Sequence, residues 1–359
     1  MALGDVRMAL IGDAYVQRPD PDSAFAPARP YFEKADIVFC NLETVVADAK
    51  YLPVGNAEKD LPRTDESTLA SYLRAGINVM NVANNPVMYQ GLGPFLRSLD
   101  VLDQAGVVYG GGGRNLAEAR KPAIIERRGT RVGFVCRTAI YAEDAPATPT
   151  RAGSATFRVS TAYEVRPQTK MVPGVPPIIR TYPHPEDVAA LEDDIHIARQ
   201  QADVVVSSWH WGLTPVGGLA STPGGDNLVS YQTEMGHLAI DFGADLVVGH
   251  HPHVVQPIEV YRGRVIAYCL GSYAHDKSRG EDRAGVRKTR KLTTILLRCL
   301  VHDGHITQVS FVPGRTEGHG PPEYFRPSQA KDLVDQIQAV SVPFGTRFQV
   351  GEEDVQVVL

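Results

Sequence analysis

The chain has 359 residues, of which 43% are hydrophobic and 21% are charged, and its 36 basic and 41 acidic residues give a formal net charge of −5. This length supports a large core and excludes a small disulfide scaffold. The balanced charge argues against nucleic acid or a membrane surface as the main partner. No apolar stretch approaches the ~20 residues of a membrane span, and no basic region followed by a long apolar stretch marks a signal peptide. We therefore expect a cytoplasmic protein.

The predicted elements alternate between short apolar runs and amphipathic stretches, which indicates an α/β architecture. Gly76, Gly106 and Gly243 each follow a predicted helix, where a left-handed C-cap favours glycine. We expect one domain over residues 1–359. In chain order the elements are strands Arg7–Gly12 and Asp36–Leu42, helix Glu66–Ala75, strand Ile77–Ala83, helix Gly91–Ala105, strand Arg131–Arg137, helix Pro185–Gln201, strand Asp203–Trp211, helix Ser230–Phe242, strands Asp245–Gly249 and Val265–Leu270, and helix Ser328–Val340.

Segments near the C-terminal end predict additional strands. Leu292–Leu300 and His305–Val312 flank Asp303 and Gly304, and Asp-Gly between two such runs is typical of a β-hairpin. Pro343–Leu359 is expected to form an extended tail or an added strand.

Two further segments interrupt the alternation of strands and helices. Tyr141–Pro185 is rich in Pro, Thr, Ala and Arg and is either a long insertion or a lid over the site. Lys277–Lys291 carries seven bases and is either a solvated loop or a clamp for an anionic substrate.

The four cysteines are far apart and match neither a zinc ribbon nor a CxxC motif. Three of them lie inside apolar runs. We therefore expect buried, reduced thiols. They are Cys40, Cys136, Cys269 and Cys299.

The densest group of candidate ligands is the run Gly249 to His253, which contains three histidines directly after a predicted strand. Residues two apart on extended backbone point to the same side, so His251 and His253 can share one metal. Neutral imidazole binds zinc, manganese, iron or nickel. The alternative is a surface run or packed core histidines, but a cluster at a strand end favours metal binding.

Other predicted strands also end in polar residues. Buried carboxylates are costly unless they are paired or bound to metal, so packing does not explain why several strand ends carry such groups. The alternatives for single positions are a histidine bonded to a backbone carbonyl and an asparagine in a turn. Together the strand ends predict a two-metal hydrolytic site. They are Asp13, Asn41 with Glu43, Asn84 with Asn85, and His210.

These motifs resemble the capsule-synthesis CapA family, also called PGA_cap, which is similar to the calcineurin-like metallophosphoesterases. The resemblance runs from residue 10 to about residue 276. It implies a four-layer α/β/β/α sandwich with metals at the strand ends. The matching stretches are Gly12-Asp13, residues 35–44 with Asn-Leu-Glu, residues 75–85 ending in Ala-Asn-Asn, His210-Trp211-Gly212, residues 243–253 with Gly-His-His-Pro-His, and residues 266–272.

The resemblance also implies roles for individual residues and a cofactor of two divalent ions, either manganese, zinc or iron. Asp13 would bind the first metal, Glu43 would stand where the phosphoesterases use a bridging aspartate, and Asn85 and His210 would bind the second metal. His251 and His253 would bind one metal each. We expect Asp13, His210 and His250 to act in catalysis. The candidates for substrate contacts are Asn41, Asn84, Trp211, Tyr273 and Arg287.

The chain departs from the family pattern where the leaving-group acid is expected. Pro86 replaces the histidine that follows the two asparagines, and proline cannot transfer a proton. Tyr15 stands two residues after Asp13, where the wider phosphoesterases carry a histidine. Ser272 and Tyr273 replace the asparagine and phenylalanine of another motif. The candidates for a replacement acid are His275, Asp276, Tyr15, Tyr89 and Glu234.

We therefore interpret the chain as a metal-dependent hydrolase of an amide, lactone or ester bond, acting on a small or oligomeric anionic substrate. The first alternative is a metallophosphoesterase with a relocated acid. The second is a non-catalytic accessory protein of polyanion or polyglutamate biosynthesis. A zinc-dependent barrel amidohydrolase is disfavoured because no HxH motif comes early and the first histidine is His184. A homo-oligomer is compatible with the sequence.

Overall fold

The computed structural model describes residues 4–56, 61–172, 174–214, 228–276, 291–317 and 321–359. Within these ranges the chain forms a mixed α/β fold. None of the described helices is long and apolar enough to cross a membrane. The helices are α1 (Arg29–Phe32), α2 (Leu69–Arg74), α3 (Leu92–Gln104), α4 (Leu116–Arg120), α5 (Pro185–Gln201), α6 (Ser230–Asp241) and α7 (Lys331–Ser341).

The described strands vary from two residues to the 13 residues of the longest one. In chain order they are β1 (Val6–Tyr15), β2 (Ile37–Leu42), β3 (Val45–Val46), β4 (Arg63–Thr64), β5 (Val79–Asn81), β6 (Val108–Gly110), β7 (Gly112–Gly113), β8 (Ala123–Arg127), β9 (Thr130–Thr138), β10 (Gly153–Ser154), β11 (Val159–Glu164), β12 (Ile178–Pro183), β13 (Val204–His210), β14 (Leu246–His250), β15 (Ile258–Tyr261), β16 (Arg264–Ala267), β17 (Ser272–His275), β18 (Lys291–His302), β19 (His305–Glu317), β20 (Glu323–Tyr324), β21 (Phe348–Val350) and β22 (Val355–Val357). Two large sheets contain most of these strands.

The larger sheet has the order β21-β22-β19-β18-β1-β2-β5-β6, with β17 paired to β1 and β20 paired to β19. Strands β1, β2, β5 and β6 run parallel, whereas β18 and β19 form an antiparallel hairpin. The smaller sheet has the order β15-β16-β14-β13-β9-β8, and its β9, β13, β14 and β16 run parallel. Parallel strands place their carboxyl ends on one edge of the sheet, and binding sites in α/β folds usually lie at that edge.

Side chains from both sheets form one apolar cluster. Met8 and Leu10 of β1 belong to it together with Val206 of β13. Within this cluster the rings of Phe39 and Phe134 stack with centroids 5.1 Å apart. Burial of such a side chain contributes about 1.5–3 kcal/mol, so this contact is a main attachment between the sheets.

Two further apolar clusters join the sheets to helices. The first contains Ala9 and Ile11 of β1 together with Tyr72 of α2 and Leu102 of α3. The second joins β13 and β14 to α5 and α6. Alternate residues of β1 therefore serve different clusters, as the twofold period of a strand requires.

A bulge in β1 changes this alternation just before Asp13. The pairing of β1 with β2 shifts register between Leu10 and Asp13. Ala14 consequently lies in the same cluster as Ala9 and Ile11, although strict alternation would place it on the other face. Gly12 lies at this point, and a Cβ there would come within 1.7 Å of the Gly271 carbonyl oxygen. Only glycine permits this approach, which brings β17 beside the end of β1.

The predicted strands and helices all occur, with shifts at their ends. The strand expected over Ile77–Ala83 is limited to β5, because the Asn81 side chain accepts a hydrogen bond from the Ala83 backbone N–H. The helix expected over Glu66–Ala75 begins with a 3-10 turn, Glu66–Thr68. The left-handed conformations of Gly76, Gly106 and Gly243 are confirmed. So are the hairpin at Asp303 and the four buried, free cysteines.

The segment Tyr141–Pro185 contains strands that the sequence did not predict, whereas the added strand expected in Pro343–Leu359 is confirmed. In the segment Tyr141–Pro185, β11 and β12 form an antiparallel pair, and Thr181 Oγ1 lies 2.7 Å from Ser230 Oγ at the start of α6. The segment Pro343–Leu359 forms β21 and β22, of which β22 extends the larger sheet next to β19. The tail is therefore a hairpin added to that sheet.

Candidate metal centre

Polar side chains from four strands meet at the edge where the parallel strands end. Asp13 lies in β1, Glu43 follows β2, His210 ends β13 and His250 ends β14. The Nδ1 atoms of His210 and His250 each lie 3.9 Å from Asp13 Oδ1. The structure thus brings together residues from distant parts of the chain.

Asp13 is fully buried at the centre of this group. Its Oδ1 accepts a hydrogen bond of 2.7 Å from Asn41 Nδ2, and its Oδ2 accepts one of 3.1 Å from the His251 backbone N–H. His253 Nδ1 lies 3.2 Å from Oδ2. Burial opposes ionisation, but the hydrogen bond from His253 and the nearby imidazoles hold the pKa of Asp13 well below its usual value. Asp13 is therefore a carboxylate.

Glu43 is shared by two groups of possible ligands. One group consists of Glu43, His253 and His275, and the other of Glu43, His210 and His251. In each group the ligand atoms lie within 4.8 Å of one another. Glu43 is 3% exposed. A carboxylate shared between two sets of imidazoles fits a bridging ligand between two cations.

His275 is a candidate ligand that the sequence reasoning considered only as an acid. It lies in β17, where it pairs in register with Tyr15 of β1, and its Nε2 lies 3.6 Å from Glu43 Oε2. The neighbouring strand thus supplies an imidazole beside the position that Tyr15 occupies on β1. In the sequence, His275 could have been found from its position shortly after the apolar run that ends at Leu270, because the ends of other apolar runs also carry candidate ligands.

Asn41 and Asn85 bond to acidic or imidazole side chains of the cluster, and Asn84 bonds to Asn41 and to the backbone. Asn41 Nδ2 also lies 3.1 Å from His210 Nδ1, and Asn85 Oδ1 lies 2.7 Å from His210 Nε2. Asn84 Nδ2 donates to the Leu42 carbonyl at 2.8 Å. Asn41 and Asn84 are fully buried, and their amides donate to groups of the protein. Such bonds orient the buried side chains.

The turn after β14 carries its histidines in unusual backbone conformations. His251 has φ 95° and His253 has φ 58°, values that non-glycine residues rarely adopt. His250 is fully buried, and neither of its ring nitrogens has a hydrogen-bond partner among the described residues. Strain and an unpaired buried ring both persist only where surrounding contacts impose them, and both occur typically at functional sites.

Burial keeps the rings of His210, His250 and His251 neutral. It lowers the pKa of His250 to about 4, and together with the charge of His253 it lowers the pKa of His251 to about 4. Burial and the charge of His251 likewise place the pKa of His210 well below its ordinary value. A neutral ring offers a lone pair, which is the form that coordinates a cation.

Trp211 and Tyr273 do not lie at this cluster, which corrects their expected role in substrate contact. Trp211 is fully buried in the cluster with α5 and α6, and its Nε1 donates to the Tyr268 carbonyl. Tyr273 is fully buried in the cluster with α2 and α3, and its hydroxyl donates to the Ala24 carbonyl. Trp211 follows the twofold period of β13, which turns it away from His210. Tyr273 lies at the irregularity in the pairing of β1 with β17, which interrupts that period between Ser272 and Ala274. Arg287 and most of the basic segment lie outside the described residues.

The candidate replacement acids differ in availability. Asp276 forms a short ion pair with Arg18, at 2.6 Å. Tyr15 is buried against His275, with ring centroids 5.5 Å apart. Tyr89 is 38% exposed, and its hydroxyl accepts a hydrogen bond of 2.6 Å from Asn85 Nδ2. Glu234 is exposed on α6. Of these, Tyr89 combines contact with a candidate ligand and access to solvent.

Comparison with known proteins gives one family. The family model described as bacterial capsule synthesis protein PGA_cap matches residues 1–277. The capsule biosynthesis protein CapA of Bacillus anthracis is 27% identical over 79% of this chain and 62% of its own length. A probable polyglutamine synthesis accessory protein of Mycobacterium tuberculosis is 28% identical over 67% of this chain and 56% of its own length. The chain thus spans less than two thirds of these relatives.

Two solved structures show distant likeness. A hypothetical protein from Thermus thermophilus is 14% identical and aligns over 86% of this chain and 99% of its own, with a TM-score of 0.49. A putative 5′-nucleotidase from Staphylococcus aureus in complex with alpha-ketoglutarate is 12% identical over 90% of this chain and 53% of its own, with a TM-score of 0.43. Likeness at this level does not bear on the activity of the chain.

Proposed function

Because the chain belongs to the bacterial capsule synthesis protein PGA_cap family, we propose that it is a metal-dependent hydrolase of an amide, lactone or ester bond in a carboxylated substrate. The observation that carries this proposal is the shared position of Glu43 in two ligand groups. The carboxylated substrate is supported by the names of relatives, which refer to capsule biosynthesis, PGA biosynthesis and polyglutamine synthesis.

The donor set fits two divalent cations. Glu43 with His253 and His275 would hold one, and Glu43 with His210 and His251 would hold the other. Imidazole with carboxylate suits zinc, manganese or iron. When bound, such cations activate a water molecule and polarise the scissile bond. Asp13 lies against His253, His210 and His250, and its negative charge favours cation binding at either place.

The remaining residues of the cluster orient the ligands. Asn41 donates to Asp13 Oδ1 and also lies against His210, so it sets the position of a carboxylate and an imidazole together. Asn85, a predicted ligand of the second metal, lies against His210 and Tyr89. The water for hydrolysis would be aligned by this fixed frame, which reduces the entropy lost on reaching the transition state.

Tyr89 is the residue we propose as the proton donor to the leaving group. An amide nitrogen must gain a proton to leave, and Pro86 cannot supply one. The Tyr89 hydroxyl accepts from Asn85 Nδ2, which leaves its own O–H proton free to move to the leaving atom. Tyr89→Phe should therefore lower kcat on amides more than on esters with good leaving groups, at unchanged metal content.

A non-catalytic accessory role is the second candidate function. The Mycobacterium tuberculosis relatives carry the name of accessory proteins. Phosphoester hydrolysis is less favoured because Pro86 replaces the histidine that serves it in the wider phosphoesterases. We also propose a single domain and a cytoplasmic location. We further propose that the layers follow the order helices, sheet, sheet, helices, and the three apolar clusters support this order.

Metal analysis of the purified chain together with a substrate panel tests these functions. We expect about two cations per chain and hydrolysis of amides, lactones or carboxylic esters in preference to p-nitrophenyl phosphate, with Mn²⁺ or Zn²⁺ added. His253→Ala should lose metal and activity, whereas Cys136→Ser should keep both. Less than one metal per chain and a stability that chelator leaves unchanged would favour the accessory role. Full activity in His253→Ala would reject the site.

A further inference from the structure

A cavity lies on the larger sheet at the opposite end of β1 from the metal centre. It has a volume of about 270 Å³, and its lining includes Arg7, Tyr31, Lys34, Arg298, Ser310 and Asp354. Asp13 lies six residues further along β1 than Arg7, and a strand advances about 3.3 Å per residue. The cavity is therefore on the order of 20 Å from the metal centre and independent of it.

The register of the strands places two arginines on one face of the sheet. Arg7 pairs with Leu300, and Ala9 pairs with Arg298, so Arg7 and Arg298 are diagonal neighbours on β1 and β18. Diagonal neighbours have Cα atoms about 7–8 Å apart. The small side chain of Ala9 leaves room between them. The lining of the cavity thus includes two arginines that stand on the same sheet face with Ala9 between them.

The charges that line the cavity are unbalanced. Asp354 is the acidic group of the lining, and its Oδ2 accepts from Arg298 Nη1 at 2.8 Å and from Ser310 Oγ at 2.7 Å. Across the described ranges, no acidic side chain forms an ion pair with the Arg7 guanidinium or the Lys34 ammonium group, and both residues are exposed. The Asp36 carboxylate accepts from the Arg7 backbone N–H at 2.9 Å and is paired with Arg128. The lining therefore carries three basic side chains and one acidic side chain. Like charges on one sheet face repel unless an anion lies between them.

We propose that this cavity binds a small dicarboxylate. Arg7 would engage one carboxylate, and Arg298, whose Nη1 is held by Asp354, would engage the other through its remaining N–H donors, while Lys34 would add a further positive charge to the lining. Arginine forms paired hydrogen bonds with carboxylate, and a dicarboxylate can span the gap that separates the two arginines, whereas a compact dianion spans it less well. Tyr31 supplies an aromatic wall against the carbon chain of the ligand.

Calorimetric titration of the full chain tests this site. The probes are glutarate, inorganic phosphate as a compact dianion, and glutaramide as a neutral molecule of the same size. Each titration is repeated after chelation of metal, because an anion bound at the metal centre is lost on chelation and an anion in the cavity is not. We expect glutarate to bind with a Kd near 1 mM or tighter, on the order of −4 kcal/mol, in both conditions, and glutaramide not to bind.

The decisive variant is Arg7→Gln with Lys34→Gln. It should weaken glutarate binding at least tenfold. The matched control is Arg262→Gln with Lys331→Gln, which removes the same charge from exposed sites paired with Asp241 and Asp335. The Kd of the control for glutarate should lie within about twofold of the Kd of the unmodified chain. Exposed charges outside the cavity act on the ligand only through Coulomb forces that salt screens.

Several outcomes would overturn the proposal. They are no binding of glutarate by the chelated chain, equal weakening in the decisive and control variants, and full affinity in the decisive variant. Phosphate binding tighter than glutarate would replace the dicarboxylate with a compact dianion. Loss of glutarate binding only on chelation would assign that binding to the metal centre. None of these results depends on whether the chain is a hydrolase.

Discussion

The two ends of strand β1 differ in burial and in charge. At the carboxyl end, Asp13 is fully buried among neutral imidazoles and asparagines. At the amino end, Arg7 is exposed and lines a cavity with other bases. A bulge separates the two halves of the strand, and it turns Asp13 away from the face that carries Ala9 and Arg7. One strand thus serves two kinds of site because its alternation is interrupted once.

The comparison also distinguishes how each region is stabilised. Asp13 and Glu43 are buried, so removal of their partners leaves a buried charge uncompensated and lowers the free energy of unfolding. Arg7 and Lys34 remain in water, and their removal costs little. Substitutions at the carboxyl end should therefore alter cofactor content and stability, whereas substitutions at the amino end should alter ligand binding alone.

The largest effect is expected for Glu43→Gln. An amide in place of the shared carboxylate removes the charge common to both ligand groups, so bound metal should fall from about two ions per chain to one or none. Activity should fall about 100-fold or more, because the loss of a residue that only supports a metal ligand already costs about 10–100-fold. Metal analysis and steady-state kinetics measure both. A Glu43→Gln chain that keeps two ions would contradict the bridging role. The control is Glu33→Gln, which changes an exposed carboxylate in the same way and should keep both metal and activity.

A smaller effect is expected for Asn41→Ala. This change removes the donor to Asp13 Oδ1 and the contact with His210, but no candidate ligand. Cation affinity should fall about 10–100-fold, and saturating metal should restore activity. Titration with Zn²⁺ or Mn²⁺ gives the affinity. Failure of high metal to restore activity would indicate a role beyond orientation.

The stability of the metal-free chain should depend on pH through the buried imidazoles. Their pKa of about 4 in the folded state is below the ordinary value of about 6.5. The unfolded chain therefore takes up more protons, and the free energy of unfolding should fall by a few kcal/mol as pH decreases from about 6.5 to 4. Chemical unfolding in chelator measures this slope.

Variants at single histidines separate the sources of this pH dependence. His250→Leu should flatten the slope, because it removes one buried group that cannot take up a proton. His302→Ala should not flatten it, since His302 is exposed and the hydrogen bond to Asp5 raises its pKa. An unchanged slope in His250→Leu would show that folding does not lower the pKa of His250.

The smallest effect is expected for Lys34→Gln. Lys34 is exposed, so the free energy of unfolding should change by less than about 0.5 kcal/mol, and metal content should stay the same. Thermal unfolding and metal analysis measure these quantities. A loss of metal in this variant would contradict the independence of the two ends of β1.

The sequence predicted the candidate ligands best where a local pattern carried them. His210, His251 and His253 stand at ends of apolar runs, and the structure places them with Asp13 and Glu43. It failed where orientation decided the role. Trp211 and Tyr273 neighbour candidate ligands in the chain but are buried on other faces. No family motif pointed to His275 as a ligand. Its position at the metal centre follows from the pairing of β17 with β1, in which it stands opposite Tyr15.

By itself, the sequence determined the type and order of the main elements, because apolar periodicity, glycine caps and the Asp-Gly turn act over a few residues. It also identified which strand ends carry acidic, amide and imidazole groups. Only the tertiary structure decided that Glu43 lies between two sets of imidazoles, that β17 supplies His275, and that Arg7 and Arg298 share a cavity. These facts depend on strand order, register and one bulge, which arise from contacts between residues far apart in the chain.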